Sequence, residues 1–70
     1  MKNYKVDKNC IFFKNVIIGE GSIIEGPSII GKPARGHADG QSETKIGRYS
    51  TIRPFTTIYN GTITGDYFET

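Results

Sequence analysis

The chain has 70 residues, 36% of them hydrophobic, and its nine basic and seven acidic side chains give a net charge of +2. This length bounds the chain to one small domain, and its dispersed charges exclude the basic footprint of a nucleic-acid-binding protein. The sequence has no apolar signal region and a single cysteine, Cys10, so we expect a cytoplasmic protein without membrane contact.

A large apolar residue recurs at every sixth position of the chain. The members of this series are Val6, Phe12, Ile18, Ile24 and Ile30, then Ile46, Ile52 and Ile58, with Thr64 as a weaker member. A period of six is typical of a parallel β-solenoid, in which each six-residue unit makes one short strand and one corner. Three units would close one triangular coil, so residue n is expected to lie above residue n+18.

A second inward position precedes each periodic residue by two. It carries small or β-branched side chains: Cys10, Val16, Ser22, Ser28, Ala34, Ser50, Thr56 and Thr62. Residues two apart in a strand point to the same face, so triplets such as Val16-Ile17-Ile18 are the predicted strands. Corners are predicted where residues that tolerate positive φ recur, which are Asn9, Asn15, Gly21 and Gly61.

The period is interrupted between Ile30 and Ile46. The polar, glycine-rich segment 36–43 is predicted to be an inserted loop, and its histidine, His37, is predicted to be exposed to solvent. Either all of residues 36–45 are inserted, or residues 40–45 form a degenerate unit and only 36–39 are inserted. We favour the second register, because Thr44-Lys45-Ile46 has the pattern of the other strand triplets, with Thr44 inward.

The outward positions of the early units are all isoleucine: Ile11, Ile17, Ile23 and Ile29. An apolar exterior favours a subunit interface, although isoleucine is also a good strand former at half-exposed sites. Ile11 and Ile29 are 18 apart and should stack on one face. Oligomerisation would also stabilise a solenoid of about three coils, which is near the lower limit of length for such folds.

The units 18–23 and 46–51, which read IGEGSI and IGRYST, resemble those of the hexapeptide-repeat acyltransferases. The resemblance covers essentially residues 6–70 and implies an all-β fold. That fold is a left-handed parallel β-helix, a hexapeptide-repeat solenoid of about three coils with one inserted loop. Residues 1–70 would form a single domain, with 1–5 as an N-terminal lead-in and about 36–43 as the loop.

A narrower resemblance concerns the end of the sequence. Residues 46–62 are similar to the segment of sugar-nucleotide N-acetyltransferases that runs into a motif of phenylalanine, any residue, threonine, glycine and histidine. Phe68-Glu69-Thr70 matches its first three positions, whereas Thr64 replaces the usual aliphatic residue. In that family the histidine is the general base, so we assign no catalytic residue here. We expect residues 1–70 to be the inactive N-terminal portion of a longer subunit.

The resemblance implies a coenzyme A-dependent acetyltransferase that acts on a nucleotide-linked amino sugar. Acetyl-CoA would be the acyl donor, with its site largely outside this chain, and a homotrimer would form through the four outward isoleucines. The sugar, the nucleotide and the choice between nitrogen and oxygen as acyl acceptor stay open. The alternative is a non-catalytic β-solenoid used for assembly or binding.

Four residues near the last corners are candidates for substrate binding: Arg53, Tyr59, Asn60 and Glu69. Arg53 is suited to a diphosphate, Tyr59 to stacking on a base or sugar, and Glu69 to orienting an acceptor. A structural role in covering a turn is the alternative for each. No metal site is expected, because one histidine cannot supply the three imidazoles of the zinc carbonic anhydrases that share this scaffold.

Three aromatic residues share the corner position that carries asparagine or glycine in four other units. They are Tyr49, Phe55 and Tyr67, and we expect them to pack along an outer edge of the molecule.

Overall fold

The described part of the chain, residues 3–70 of a computed structural model, contains eight short strands and no helix. The strands are β1 (Lys5–Val6), β2 (Ile11–Phe12), β3 (Val16–Ile18), β4 (Ile23–Ile24), β5 (Ile29–Lys32), β6 (Thr44–Ile46), β7 (Thr51–Ile52) and β8 (Thr57–Tyr59). Over residues 3–70 there is accordingly no helix of the length and apolarity needed to cross a membrane.

The strands form three parallel sheets. The first sheet has the order β1-β4-β7, the second has the order β2-β5-β8, and the third pairs β3 with β6. Two isolated bridges, Lys45 with Ile63 and Thr51 with Glu69, continue the third and first sheets. Consecutive strands therefore lie on different sheets, and each pairs with the third strand further along the chain. The predicted all-β class is confirmed, and the parallel pairing is compatible with a β-helix.

The pairing register shows how the insertion is accommodated. Before the loop, Ile11 pairs with Ile29, a separation of 18 residues, whereas across the loop Val16 pairs with Thr44, a separation of 28. Ten residues are therefore inserted, and the register that we favoured, with only 36–39 inserted, is wrong. Thr44 is inward as predicted, but both registers place it there, so the strand pattern could not discriminate between them.

The periodic isoleucines form the core. Ile24, Ile30, Ile46 and Ile52 are completely buried, and Ile58 is nearly so. They stack in columns through the strand pairs: Ile18 on Ile46, Ile24 on Ile52, and Ile30 on Ile58. Burial of each such side chain contributes about 1.5–3 kcal/mol, so these columns supply the main favourable term in folding.

Buried hydroxyl groups connect successive runs of three strands, which we call coils, beside the isoleucine columns. The Ser22 and Ser50 hydroxyls both donate to the Gly47 carbonyl oxygen, at 2.9 and 3.0 Å. The Ser22 oxygen in turn accepts the Ser50 backbone N–H at 3.0 Å. No buried side-chain nitrogen or oxygen among residues 3–70 lacks a hydrogen-bond partner. The inward serines thus satisfy backbone groups at the corners, in addition to fitting the narrow interior.

Most predicted corner residues adopt positive φ. Asn15, Gly21 and Gly61 do so, which confirms the prediction for them, whereas Asn9 does not. At the Asn9 corner the Cys10 N–H donates to the Asp7 carbonyl oxygen at 3.3 Å, and the turn closes without a left-handed residue.

A column of glycines allows close backbone contact at the corner between the third and first sheets. A Cβ atom on Gly19 would overlap the backbone of Arg48, and one on Gly47 would overlap the backbone of Gly65. A Cβ atom on Gly65 would meet nothing within 4 Å. Glycine is therefore required at Gly19 and Gly47 by the neighbouring coil, not by positive φ, whereas position 65 has space for a larger residue.

We expect Gly47→Ala to destabilise the fold by about 1–3 kcal/mol, because overpacking against rigid backbone forces the coils apart. The matched variant Gly65→Ala should change the free energy of unfolding by less than about 1 kcal/mol, because its methyl group has open space. Urea unfolding followed by circular dichroism measures both values. Equal effects of the two substitutions would contradict the stacked arrangement of this corner.

Candidate functional site

Arg53 lies at the corner that follows β7. Its guanidinium Nε donates to Glu25 Oε1 at 3.0 Å, and its backbone N–H donates to the Thr70 hydroxyl at 2.8 Å. The Ser28 and Thr56 hydroxyls donate to its carbonyl oxygen. The guanidinium is more than half exposed and has further donors that could reach an anionic group.

Glu69 belongs to the same part of the surface. It pairs with Thr51 at the edge of the first sheet and is exposed. Its neighbour in sequence, Thr70, accepts the Arg53 backbone N–H. Arg53 and Glu69 are therefore two oppositely charged, accessible groups at the boundary between the first and second sheets.

Tyr59 and Asn60 lie at a different corner, at the end of β8. Tyr59 pairs with Lys32 in the second sheet, and half of its surface is exposed. The Asn60 amide is occupied internally: Oδ1 accepts the Ser42 backbone N–H at 2.9 Å, and Nδ2 donates to the Ser42 carbonyl oxygen at 2.6 Å. Tyr59 is available to a ligand, whereas Asn60 holds the inserted loop.

The inserted loop, which runs between β5 and β6, is also hydrogen-bonded to the preceding coil, at the residues between β2 and β3. Asp39 accepts the Lys14 backbone N–H at 2.8 Å, and the Asn15 side chain donates to the Gly40 carbonyl oxygen at 3.3 Å. His37 is exposed, as predicted, and its backbone N–H donates to the Ala34 carbonyl oxygen. The C-terminal half of the loop is therefore hydrogen-bonded both to the preceding coil and, through Asn60, to the following one. His37 precedes these contacts in the chain and is exposed.

The four predicted substrate-binding residues do not form one cluster. Arg53 and Glu69 lie where the first and second sheets meet, and Tyr59 and Asn60 lie where the second and third sheets meet. A ligand that contacted both groups would have to cross the outer surface of β8. Within residues 3–70, no three His, Cys, Asp or Glu side chains come together as ligands for a metal ion.

The third corner carries a polar and aromatic cluster that we did not single out as a site. Arg48 Nη2 and Asp66 Oδ2 form an ion pair at 3.0 Å. The Tyr49 hydroxyl donates to Glu20 at 3.2 Å, and the Tyr49 and Tyr67 rings stack with centroids 5.5 Å apart. The sequence could have predicted these contacts. Arg48 and Asp66, like Tyr49 and Tyr67, are separated by 18 residues, which is the expected length of one coil.

Hydrogen bonds and charges within this cluster shift the pKa values of Asp66 and Tyr49. Hydrogen bonds from the Arg48 side chain and backbone lower the pKa of Asp66. The hydrogen bond to Glu20 and the charge of that carboxylate raise the pKa of Tyr49, because both disfavour the phenolate. The cluster is exposed to solvent, so these contacts orient the corner side chains and contribute little to stability.

The four outward isoleucines lie on three different sheets. Ile11 and Ile29 pair on the second sheet, as their spacing predicted, Ile17 lies on the third sheet, and Ile23 lies on the first. Ile11, Ile17 and Ile23 are each between 41 and 54% exposed. A single flat contact cannot cover all four residues.

Comparisons with protein-family models, with curated proteins and with solved structures gave no match.

The depressed pKa of Asp66 predicts a pH-dependent contribution to stability. Because the folded-state pKa lies below the unfolded value, the ion pair stabilises the fold at neutral pH, and this stabilisation is lost as the pH falls through the folded-state pKa. Thermal unfolding of the wild type and of Asp66→Asn, from neutral pH to about pH 3, should show a stability difference that shrinks on acidification. Arg48→Gln should remove the same contribution. A pH-independent difference would contradict this interpretation.

Proposed function

We propose that this chain is a left-handed parallel β-helix and contributes the scaffold of a coenzyme A-dependent acetyltransferase. The supporting observation for the fold is the pairing of each strand with the third strand further along, with buried isoleucines six residues apart before the loop, at Ile24 and Ile30, and after it, at Ile46, Ile52 and Ile58. The hand comes from the resemblance to hexapeptide-repeat proteins, since the general preference for parallel crossovers is right-handed.

The proposed substrate is a nucleotide-linked amino sugar. In the reaction, a general base takes a proton from the acceptor amine or hydroxyl group while the nitrogen or oxygen of that group attacks the thioester carbonyl carbon. The carbon–sulfur bond then breaks, and coenzyme A leaves as the thiol. We take the base to come from outside residues 1–70, because in the resembled family the base is a histidine that follows the segment matched by Phe68-Glu69-Thr70, and the one histidine here, His37, lies in the inserted loop.

The accessible groups suggest which residues of this chain take part. Tyr59 is half exposed and can stack on a base or sugar ring, and the exposed guanidinium of Arg53 can contact a phosphate. Glu69 is positioned at the edge of the first sheet to orient a polar acceptor group. The Asn60 amide is committed to Ser42, so we now give Asn60 a structural role in place of substrate contact.

A homotrimer would accompany this function. Ile17 on β3 and Ile23 on β4 flank the corner between the third and first sheets, and both are exposed. We assign the trimer contact to these two residues. Ile11 and Ile29, on the second sheet, would lie outside such a contact.

A non-catalytic solenoid is the second candidate function, and specific contacts favour it. Two predicted substrate residues already have partners within the chain, namely Arg53 with Glu25 and Asn60 with Ser42. A surface that is occupied by internal hydrogen bonds in this way is suited to a rigid assembly module in a cytoplasmic complex.

The acetyltransferase and the non-catalytic solenoid predict different results in an assay of acetyl transfer. The gene product that carries residues 1–70 should release free coenzyme A thiol from acetyl-CoA only when a nucleotide-linked amino sugar is added. Tyr59→Ala should raise the KM for the acceptor by about tenfold, the loss expected for one stacking contact, without lowering the thermal midpoint.

Asn60→Ala serves as the matched variant at the same corner. It should lower the thermal midpoint, because it leaves the Ser42 backbone groups without their partner, and it should affect the KM less than Tyr59→Ala does. A folded gene product that shows no turnover with any of a set of nucleotide-linked amino sugars would contradict the acetyltransferase proposal and favour the assembly module.

A further inference from the structure

Phe55 is an apolar residue in an unfavourable position. Its φ of 63° is in the left-handed region, which L-residues other than asparagine and aspartate seldom adopt, and its side chain is 84% exposed. Its backbone N–H donates to the Pro27 carbonyl oxygen, which holds the corner in this conformation. Burial within the chain does not compensate for the strain, and strain of this kind at an exposed residue points to a function.

An uncharged groove lies beside Phe55 on the second sheet. Its volume is about 320 Å³, and Ile11, Pro27, Ile29 and Phe55 form its apolar walls. Room for on the order of ten water molecules is sufficient for a phenyl ring. None of the groove-lining residues is charged.

The outward positions of the second sheet that border the groove carry no charge, and the charged residue of this sheet, Lys32, lies at the end of β5 over the Phe13 ring. Ile11, Ile29 and Thr57 follow one another along its outer face. The corresponding column of the first sheet contains Lys5 and Glu69, and that of the third sheet contains Lys45. An identical uncharged surface can approach this face without repulsion between like charges, so the electrostatics favour self-association here.

We propose that a second copy of this chain docks on the second sheet, with Phe55 of each copy inserted into the groove of the other. A projecting aromatic residue and a groove that adjoin on one surface are self-complementary, which is the requirement for a twofold contact. Phe55 then packs against Ile11 and Ile29 of the other copy. This contact is separate from the proposed trimer contact at Ile17 and Ile23, and it does not depend on the acetyltransferase proposal.

The small size of the contact sets its strength. Insertion of one phenyl ring from each copy buries on the order of 200 Å² of that side chain. That is below the roughly 800 Å² per partner of a standard stable interface. The association is therefore weak, with a dissociation constant in the micromolar range or above, and the mass of the assembly rises with concentration.

Sedimentation velocity of the full chain, from micromolar to millimolar concentration, tests the proposal. Phe55→Asn should raise the dissociation constant by about thirtyfold, the loss of one hot-spot side chain, and should lower the average mass at every concentration at which the wild type is partly associated. The variant should keep its fold and its thermal midpoint, because asparagine adopts positive φ more readily than phenylalanine does. Tyr67→Asn is the matched control, since Tyr67 is also an exposed corner aromatic with positive φ but does not line the groove.

Mixing two variants tests the reciprocal contact. Ile11→Arg blocks the groove and Phe55→Asn removes the inserted side chain, so each variant alone associates much more weakly than the wild type. A mixture keeps one of the two contacts, that of Phe55 with the remaining walls Ile11, Pro27 and Ile29, and associates more strongly than either variant alone. The proposal is overturned if the wild type does not form this additional association, if Phe55→Asn associates as strongly as the wild type, or if Tyr67→Asn weakens association equally. It is also overturned if the mixture behaves as the two variants do separately.

Discussion

The stacking of buried isoleucines that recur every six residues on each side of the loop is the constraint on which the rest of the structure depends. Each column, such as Ile24 on Ile52, fixes the vertical register of two coils, and the parallel hydrogen bonds follow that register. Because a shift by one residue would place polar side chains in the core, the register is strongly determined. The same stacking brings the Gly47 and Gly65 backbones together and places the Ser22 hydroxyl against the next coil.

The repeat allowed the strands, the inward positions and the parallel pairing to be predicted from sequence, since these depend only on local periodicity. The number of inserted residues could not be predicted, because Thr44 is inward in either register and only contacts across the loop decide between them. Side-chain pairs whose members lie on opposite sides of the loop, such as Arg53 with Glu25, could not be predicted for the same reason. The ion pair of Arg48 and Asp66 has no insertion between its members, and the spacing of 18 could have revealed it.

The departures from local preference are concentrated at three turns on two corners, where aromatic residues occupy a position that favours asparagine or glycine. Tyr49 and Tyr67 recover part of the cost by stacking on each other, and Tyr49 also packs on Gly21. Phe55 has no comparable internal partner and is the most exposed of the three. Conflicts between local and global preference are expected mainly at functional positions, which is why Phe55 and its groove, more than the buried core, are informative about partners.

The central claim is that isoleucine columns hold the coils together in a register with ten inserted residues. Nuclear Overhauser contacts between isoleucine methyl groups, measured on methyl-labelled protein, test it most directly. The account predicts contacts of Ile46 with Ile18, and of Ile52 with Ile24, across the loop. Contacts of Ile46 with Ile24 in place of Ile18 would show that only four residues are inserted, and would contradict the stacking described for every later coil.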